Sequence, residues 1–289
     1  MTWIVVIIGS ALFFSLNHMF RKKILEDAGV MDMMIITDSI GFCLMLPLCK
    51  VINFDVSNQN LFLILLNSIF AYGGSFLLNI AYKNCEISTV SPLLNINPLF
   101  VIVLSYYTLG EVLNTIQFIG VLLILIGGYI ITLDNLRYFL HPFTSMPKKY
   151  YLMVLLTLVL WSFCPVINRV VLYEVKTLSY MFFYVMFIFF IQMILLVVKN
   201  RVRVVITLTR KKWRLLIWAS LFWVASDFLH LTAIAIPTAL VSLIMPVKRI
   251  ANLFTVIIGG NLFMEKNLVL KSAACAIMIT GLFVIGFNS

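Results

Sequence analysis

The sequence predicts an all-α, polytopic membrane protein, and three observations carry this prediction. Hydrophobic residues make up 63% of the 289 residues and charged residues only 11%, whereas a soluble domain carries about 25% charged residues. The mean hydropathy is +1.09. The apolar residues also gather in runs long enough to cross a bilayer, which takes about 20 residues per helix. Backbone groups in a bilayer must be satisfied within each segment, so helices are expected, and the shorter alternating segments of a membrane barrel are not seen.

Ten apolar runs can be counted as membrane spans. The first run contains Ser15, Asn17 and His18 and has no basic residue before it, so we expect a retained span rather than a cleaved signal peptide. The links are short, the longest being Asp134–Lys149 and Lys199–Trp213, which leaves no room for a soluble domain. The predicted spans lie near residues 2–20, 31–52, 61–82, 88–109, 115–133, 150–172, 178–198, 214–236, 238–262 and 267–287.

The basic residues predict how the chain is oriented in the membrane. Of the 21 Lys and Arg residues, sixteen fall in one set of loops, and only Lys50, Arg169 and Lys176 fall in the opposite set. Positive charge marks the cytoplasmic side, so the first set is expected inside and both termini outside. The net charge of +10 is thereby explained by membrane topology, and no nucleic-acid partner is expected. We expect the plasma (inner) membrane as the location.

The chain reads as two related halves. At a constant offset of 154 residues, Ser88 falls on Ser242, Pro92 on Pro246, Phe100 on Phe254, Glu111 on Glu265, and Asn95 on Arg249. Five spans is an odd number, so the second half enters the membrane in the opposite sense to the first. Such inverted repeats are typical of secondary transporters, whose substrate site lies near the midplane between the repeats. We therefore predict five-helix repeats over residues 1–134 and 150–289, joined by a connecting loop at 135–149.

Motifs in the two halves match a known transporter family. The first copy carries Pro98, Gly110–Glu111, Gln117, Gly120 and Gly127–Gly128; the second carries Glu265, Lys271 and Gly281, with Trp161–Ser162 at the start of its first helix. In this order, over nearly the whole chain, they resemble the EamA-type drug/metabolite transporters. One departure is Asn252 in place of the first copy's Pro98. Lys248–Arg249 also resembles the basic pair of the sugar-phosphate and nucleotide-sugar branch, although the spacing to the helix end differs.

Lys248 and Arg249 lie in the middle of a predicted span and are the leading site candidates. Each charge costs roughly 2.5–3.5 kcal/mol at a helix centre. Arg249 shares a stripe with Ser242, Met245 and Asn252, and the counterpart stripe ends at Asn95. This pattern indicates binding of an anionic substrate group such as a phosphate or carboxylate. The alternative interpretations are a structural ion pair with Asp227, or Lys248 reaching toward an interface.

Other polar residues within predicted spans are candidates for charge pairing, coupling or binding. Asp227 and His230 share a helix face and could neutralise the basic pair or carry a coupling proton. Asp38 could pair with His18 or lie near a membrane surface. Neutral groups indicate a polar interior, although each one is more often a helix-to-helix contact. Those assigned to substrate binding are Asn17, Tyr72, Asn95, Ser242 and Asn252.

Glu111 and Glu265 sit where one predicted helix ends and the next begins. Each is expected to cap the start of the following helix. Pro92, Pro98, Pro165 and Pro246 are expected to weaken their helices and free backbone carbonyls.

The sequence favours a transporter over an enzyme. It contains no HExxH and no GxxxxGK[ST] motif, and its five cysteines lack metal-ligand spacing, so no catalytic residue, metal or cofactor is expected. The leading hypothesis is secondary-active transport of a small organic metabolite with an anionic group, by alternating access, as an antiporter or with protons. The alternatives are a flippase for an anionic lipid-linked headgroup and a membrane receptor or assembly subunit without a transport cycle. Expected partners are the small-molecule substrate and the lipid bilayer, in a monomer or homodimer.

Overall fold

The structure, a computed structural model, describes residues 2–85, 87–133, 146–255, 258 and 268–287, and the long elements among them are all helices. The predicted connecting loop lies mostly outside these residues, as do Glu265 and the side chain of Ser88. The helices are α1 Thr2–Leu25, α2 Val30–Met45, α3 Asn58–Asn84, α4 Ile87–Leu94, α5 Asn97–Leu109, α6 Thr115–Ile131, α7 Lys148–Leu172, α8 Thr177–Val198, α9 Val202–Ala235, α10 Val241–Lys248 and α11 Leu268–Gly286.

Many of these helices have the length and composition of membrane spans. In the described part of the chain, seven helical stretches are long and apolar enough to cross a bilayer, and the two shorter apolar helices are Thr115–Ile131 and Leu270–Gly286. A 3₁₀ turn, Leu46–Lys50, continues α2 to the length of a span. The prediction of an all-α, multi-pass membrane protein is confirmed at this level.

Two predicted spans are broken in the middle. The span predicted at 88–109 consists of α4 and α5, separated by a turn at residues 95–96. The span predicted at 238–262 begins with α10, which ends at Lys248; a turn at 249–250 separates it from a further helical segment at 251–255. Pro92 lies inside α4 and Pro246 inside α10, each shortly before its break. Each proline removes one hydrogen bond from the turn before it and so weakens the helix that ends at the break. After the first break, Pro98 stands in the first turn of α5, where a missing N–H is tolerated.

The basic segment predicted as a link, Lys199–Trp213, is mostly helical. Helix α9 already begins at Val202, and its backbone leaves helical geometry only at Lys212, with φ −125° and ψ 24°. The Lys212 ammonium lies 2.9 Å from an Asp27 carboxylate oxygen and donates to the Lys23 carbonyl oxygen at 3.0 Å. The hydrogen bond from Lys212 lowers the pKa of the Asp27 carboxyl. The prediction of a link was wrong because charged residues were read as loop, although a helix at a membrane surface carries both charged and apolar residues.

The principal helix contacts join the two halves of the chain. Helix α1 packs along α9, α3 along α7, α6 along α11, and α2 against α8. Where α6 crosses α11, a Cβ on Gly120 would lie 2.9 Å from the Gly281 carbonyl oxygen, and a Cβ on Gly281 would lie 2.7 Å from that of Gly120. The absent side chains therefore permit this close crossing.

Candidate functional site

A central cavity of about 740 Å³ lies between the two halves. Its wall is built from α1 and α3 of the first half and α7, α8, α9 and α10 of the second, with Leu94 and Asn97 at the first helix break. Along α3 every fourth residue from Asn67 to Lys83 faces the cavity, through Ala71, Ser75 and Asn79. Sixteen residues of helix rise by about 24 Å, so the cavity extends through most of a bilayer's thickness.

The cavity opens at the end where its lining side chains are exposed. Lys22, Glu26 and Lys83 line that end and are exposed. Asn67, Asn168 and Tyr180 line the opposite end and are buried. The open end carries residues from the loop set that the sequence assigns to the cytoplasm.

Lys248 lies in the cavity wall. Its Nζ is 4.0 Å from the Asp227 Oδ1 and 5.2 Å from the centroid of the Phe14 ring. Both charged side chains line the cavity. The structure thus brings together Lys248 and Asp227 as a charge pair that a ligand in the cavity could reach.

Arg249 lies in the break that follows α10. Its Nη2 donates to the Asn97 Oδ1 at 3.3 Å, and Asn97 itself donates to the Leu158 carbonyl oxygen at 2.9 Å. Within the part of the chain that the structure describes, no carboxylate oxygen lies within ion-pairing distance of this guanidinium. Arg249 therefore retains donors and charge for an anionic ligand, and a guanidinium can bind two oxygens of such a group.

Asn252 and Asn95 connect the two helix breaks. The Asn252 Nδ2 donates to the Asn95 Oδ1 at 2.8 Å, and the Asn95 Nδ2 donates to the Gly128 carbonyl oxygen at 2.6 Å. Asn252 lines the cavity, whereas Asn95 lies behind it. This pair holds the broken segments against each other beside Arg249.

The remaining predicted residues separate into two groups. Asn17, His18 and His230 line the cavity; Asn17 also donates to the Ala219 carbonyl oxygen at 2.7 Å, and His18 packs its ring 4.4 Å from that of Phe14. The His230 Nδ1 has no hydrogen-bond partner among the described residues.

The second group lies away from the cavity wall. The Tyr72 ring stacks 6.2 Å from that of Phe76. Asp38 accepts a 2.6 Å hydrogen bond from Gln192 between α2 and α8, so the structure pairs it with an amide rather than with His18. Ser242 is bound by Glu111.

Glu111 caps a helix start, but not that of the helix following it in the chain. Its two carboxylate oxygens accept the Val241 and Ser242 backbone N–H groups at 2.8 Å each, and the Ser242 hydroxyl at 2.6 Å. The following helix α6 is capped instead by Asn114 with Gln117. Glu111 therefore ties the first half of the chain to the first turn of α10 in the second half, at the closed end of the molecule.

Arg169, counted in the sequence only as a loop charge, closes the same end. It is buried, and its guanidinium donates to the carbonyl oxygens of Ile234, Ile236, Pro237 and Ala239. These carbonyls come from the last turn of α9 and the link to α10. A helix leaves its last carbonyls without internal partners, and Arg169 satisfies them.

Three neutral residues at the closed end of the cavity were not selected from the sequence. Asn67 donates from Nδ2 to the Asn168 Oδ1 at 2.9 Å and to the Tyr180 hydroxyl oxygen at 2.7 Å. They come from α3, α7 and α8, so no local pattern in the sequence brings them together. The available signal was a polar residue in each of three predicted spans.

Comparisons with known proteins agree with this architecture. Residues 1–133 match the EamA-like transporter family, which confirms the resemblance to EamA-type transporters found in the sequence. A similar protein, Uncharacterized protein MJ1333.1 of Methanocaldococcus jannaschii, is 28% identical over 127 residues, covering 43% of this chain and 92% of that protein. A solved crystal structure of a protein superimposes with a TM-score of 0.74 at 14% identity, covering 99% of this chain and 98% of that chain. This likeness shows a shared fold.

Proposed function

We propose that this chain, whose residues 1–133 match the EamA-like transporter family, is a secondary-active transporter that carries small organic anions by alternating access. The observation that carries the proposal is Arg249, which lies at a helix break in the cavity wall without a carboxylate partner among the described residues. Lys248 beside it supplies a second positive charge. Broken helices at the centre of a membrane protein are typical of transporter substrate sites.

Two inverted repeats form the transport pathway in this proposal. The helix breaks support it, because residues 95–96 and 249–250 are separated by the same 154 residues as the sequence matches. The packing supports it too. In the two repeats α1 corresponds to α7, α2 to α8, α3 to α9 and α6 to α11. This correspondence converts the α1–α9 contact into the α7–α3 contact, and it converts the α6–α11 and α2–α8 contacts into themselves. The Methanocaldococcus jannaschii protein is also consistent with such a repeat, because 92% of its length matches only 43% of this chain. A repeat unit would thus have about half the length of this chain.

The state described here is the inward-facing one in this proposal. The mouth of the cavity carries Lys22 and Lys83, which the positive-inside rule assigns to the cytoplasm. Glu111 and Arg169 hold the opposite end together through backbone contacts. The outward-facing state requires the contacts of Glu111 to separate while the open end closes.

Counterflow in proteoliposomes tests the proposal. Vesicles loaded with an unlabelled carboxylate or phosphate monoester should take up the labelled form of the same compound, and empty vesicles should not. Arg249→Ala and Lys248→Ala should abolish this uptake without reducing membrane insertion. Lys176→Ala, which removes an exposed lysine outside the cavity, serves as the matched control.

Two results would contradict the proposal. Binding without any counterflow would instead support a receptor. Unchanged flux in both cavity variants would remove the basic pair from the site.

A further inference from the structure

The closed end of the cavity contains a polar cluster formed by Asn67, Asn168 and Tyr180. The Asn67 amide nitrogen donates to the Asn168 Oδ1 at 2.9 Å and to the Tyr180 oxygen at 2.7 Å. The Tyr180 hydroxyl donates to the same Asn168 oxygen at 2.5 Å. All three residues line the cavity. The cluster therefore presents fixed polar groups to whatever occupies this end.

The amide oxygen of Asn67 lacks a hydrogen-bond partner among the described residues, although the residue is only 2% exposed. Both amide hydrogens are used within the cluster, so the oxygen is the atom of this amide that is left without a partner. A buried acceptor without a donor costs free energy. An amide oxygen can only accept, so the group that satisfies it must be a donor.

The distance between this cluster and the basic pair restricts the size of a ligand that reaches both. Arg249 bonds to Asn97, and Asn97 bonds to the carbonyl of Leu158 on α7. Asn168 lies ten residues further along α7, which corresponds to about 15 Å along the helix axis. Taking Arg249 as level with Leu158 and Asn67 as level with Asn168, and allowing about 3 Å for a hydrogen bond at each end, about 9 Å is left for the ligand.

We infer that the substrate is an elongated organic anion with a hydroxyl, ammonium or amide donor about 9 Å from its anionic oxygens, and that Asn67 accepts the hydrogen bond from this donor. The inference rests on the proposed anion transport and adds the chemistry of the second end. The anionic end lies at Lys248 and Arg249, toward the mouth. The donor end lies at the floor, where Asn168 and Tyr180 hold the Asn67 amide in place.

Binding of matched linear anions to the purified full-length protein tests this inference. The probes are 6-hydroxyhexanoate, hexanoate and 3-hydroxypropanoate, together with 4-hydroxybutyl phosphate and butyl phosphate. The long hydroxylated member of each series should bind at least about tenfold more tightly than the member without the hydroxyl, because a site built to bind a donor rejects an analogue lacking it. The short 3-hydroxypropanoate should also bind more weakly, because it cannot reach both ends.

Variants of α3 assign the discrimination to one residue. In Asn67→Ala, and in the smaller polar change Asn67→Ser, the ratio between the hydroxylated and plain probes should fall to about one. Asn60 lies on the same helix as Asn67 but outside the cavity, and its amide donates to the Glu174 carboxylate at 2.7 Å. Asn60→Ala is therefore the control, and it should keep the wild-type ratio between the hydroxylated and plain probes.

The outcomes separate the inference from the function on which it rests. Equal binding of 6-hydroxyhexanoate and hexanoate to the wild-type protein would overturn the inference and leave anion transport standing; this comparison needs no variant to fold. An unchanged ratio in Asn67→Ala would overturn the role of Asn67. Failure of all carboxylates and phosphates to bind would overturn the anion site itself and the inference with it.

Discussion

Lys248 and Asp227 place opposite charges in the cavity at a separation of 4.0 Å between Nζ and Oδ1. Asp227 therefore competes with an anionic ligand for the lysine. We expect Asp227→Asn to tighten binding of a carboxylate probe by on the order of tenfold, which corresponds to about 1.4 kcal/mol. Lys248→Met should weaken it. Equilibrium binding measured by ligand-induced stabilisation checks both directions, and weaker binding in Asp227→Asn would contradict the competition.

The control for this change is Asp55→Asn. Asp55 is exposed, lies in the link between α2 and α3 and does not line the cavity. The substitution alters the net charge by the same amount, so binding should stay at the wild-type level. A parallel rise in both variants would assign the effect to overall charge.

Glu111 accepts three hydrogen bonds at the start of α10. Glu111→Gln keeps the side-chain length but loses the charge and one acceptor, and the new amide donors face backbone donors. We expect a loss of about 1–3 kcal/mol in stability, seen as a lower melting temperature of the purified protein. An equal loss in Glu26→Gln, at the exposed mouth, would show that the contact with α10 is not responsible.

The sequence identifies a residue when its side chain is costly to bury in a membrane. It does not identify a residue whose role depends on a partner far along the chain. A charge in the middle of an apolar run is expensive, so Lys248, Arg249 and Asp227 could be placed in a cavity from the sequence. Tyr72 and Ser242 cost little free energy at many positions in a membrane helix. Whether their side chains face the cavity depends on the helices that pack beside them. The partner of Glu111 lies 130 residues further along the chain, so its local position predicted a cap but named the wrong helix.

At the scale of helices, Arg169 connects the end of α9 to the link that follows. Its guanidinium binds four backbone carbonyls, and its Cζ lies 5.2 Å from the Tyr173 ring centroid. Lysine keeps the charge but lacks the planar set of donors. Arg169→Lys should therefore lower stability by about 2 kcal/mol or more. Thermal unfolding measures this, with Lys176→Arg as a control in the neighbouring link, and a wild-type melting temperature would contradict it.

The crossing of α6 and α11 depends on backbone proximity. A Cβ on Gly281 would meet the Gly120 carbonyl oxygen at 2.7 Å, whereas a Cβ on Gly286 would meet only the end of the Ile4 side chain at 3.6 Å. Gly281→Ala should thus separate the helices and cost about 1–3 kcal/mol, while Gly286→Ala on the same helix should be tolerated. Equal melting temperatures for the two variants would argue against a tight crossing.

Helix breaks were easier to anticipate than helix lengths. Pro92, Pro98, Pro165 and Pro246 were recognised as weak points. Helices α4 and α10 end shortly after Pro92 and Pro246, whereas α7 continues through Pro165 to Leu172. The early start of α9 was missed because Arg203, Arg210 and Lys211 look like a loop. Their charges face solvent on a helix whose other residues include Val204 and Leu208.

At the scale of the whole molecule, each half depends on the other for its packing surface. The α1–α9, α3–α7 and α6–α11 contacts all cross between residues 2–133 and 146–287. Residues 1–134 and 150–289 expressed as separate chains should therefore copurify when made together and aggregate when made alone. Size-exclusion chromatography in detergent distinguishes the two results. A monodisperse half that is stable alone would contradict this dependence.

The cavity's two ends differ chemically, because cations lie toward its mouth and uncharged amides form its floor. A passenger that meets both ends is held in a fixed direction relative to the membrane normal. During export such a ligand would enter from the cytoplasm with its donor end first. It would leave to the outside in the same orientation, with its anionic end last. During import the order would be reversed, and the anionic end would enter the cell first. The same binding pose would thus serve traffic both ways without the cargo having to turn over.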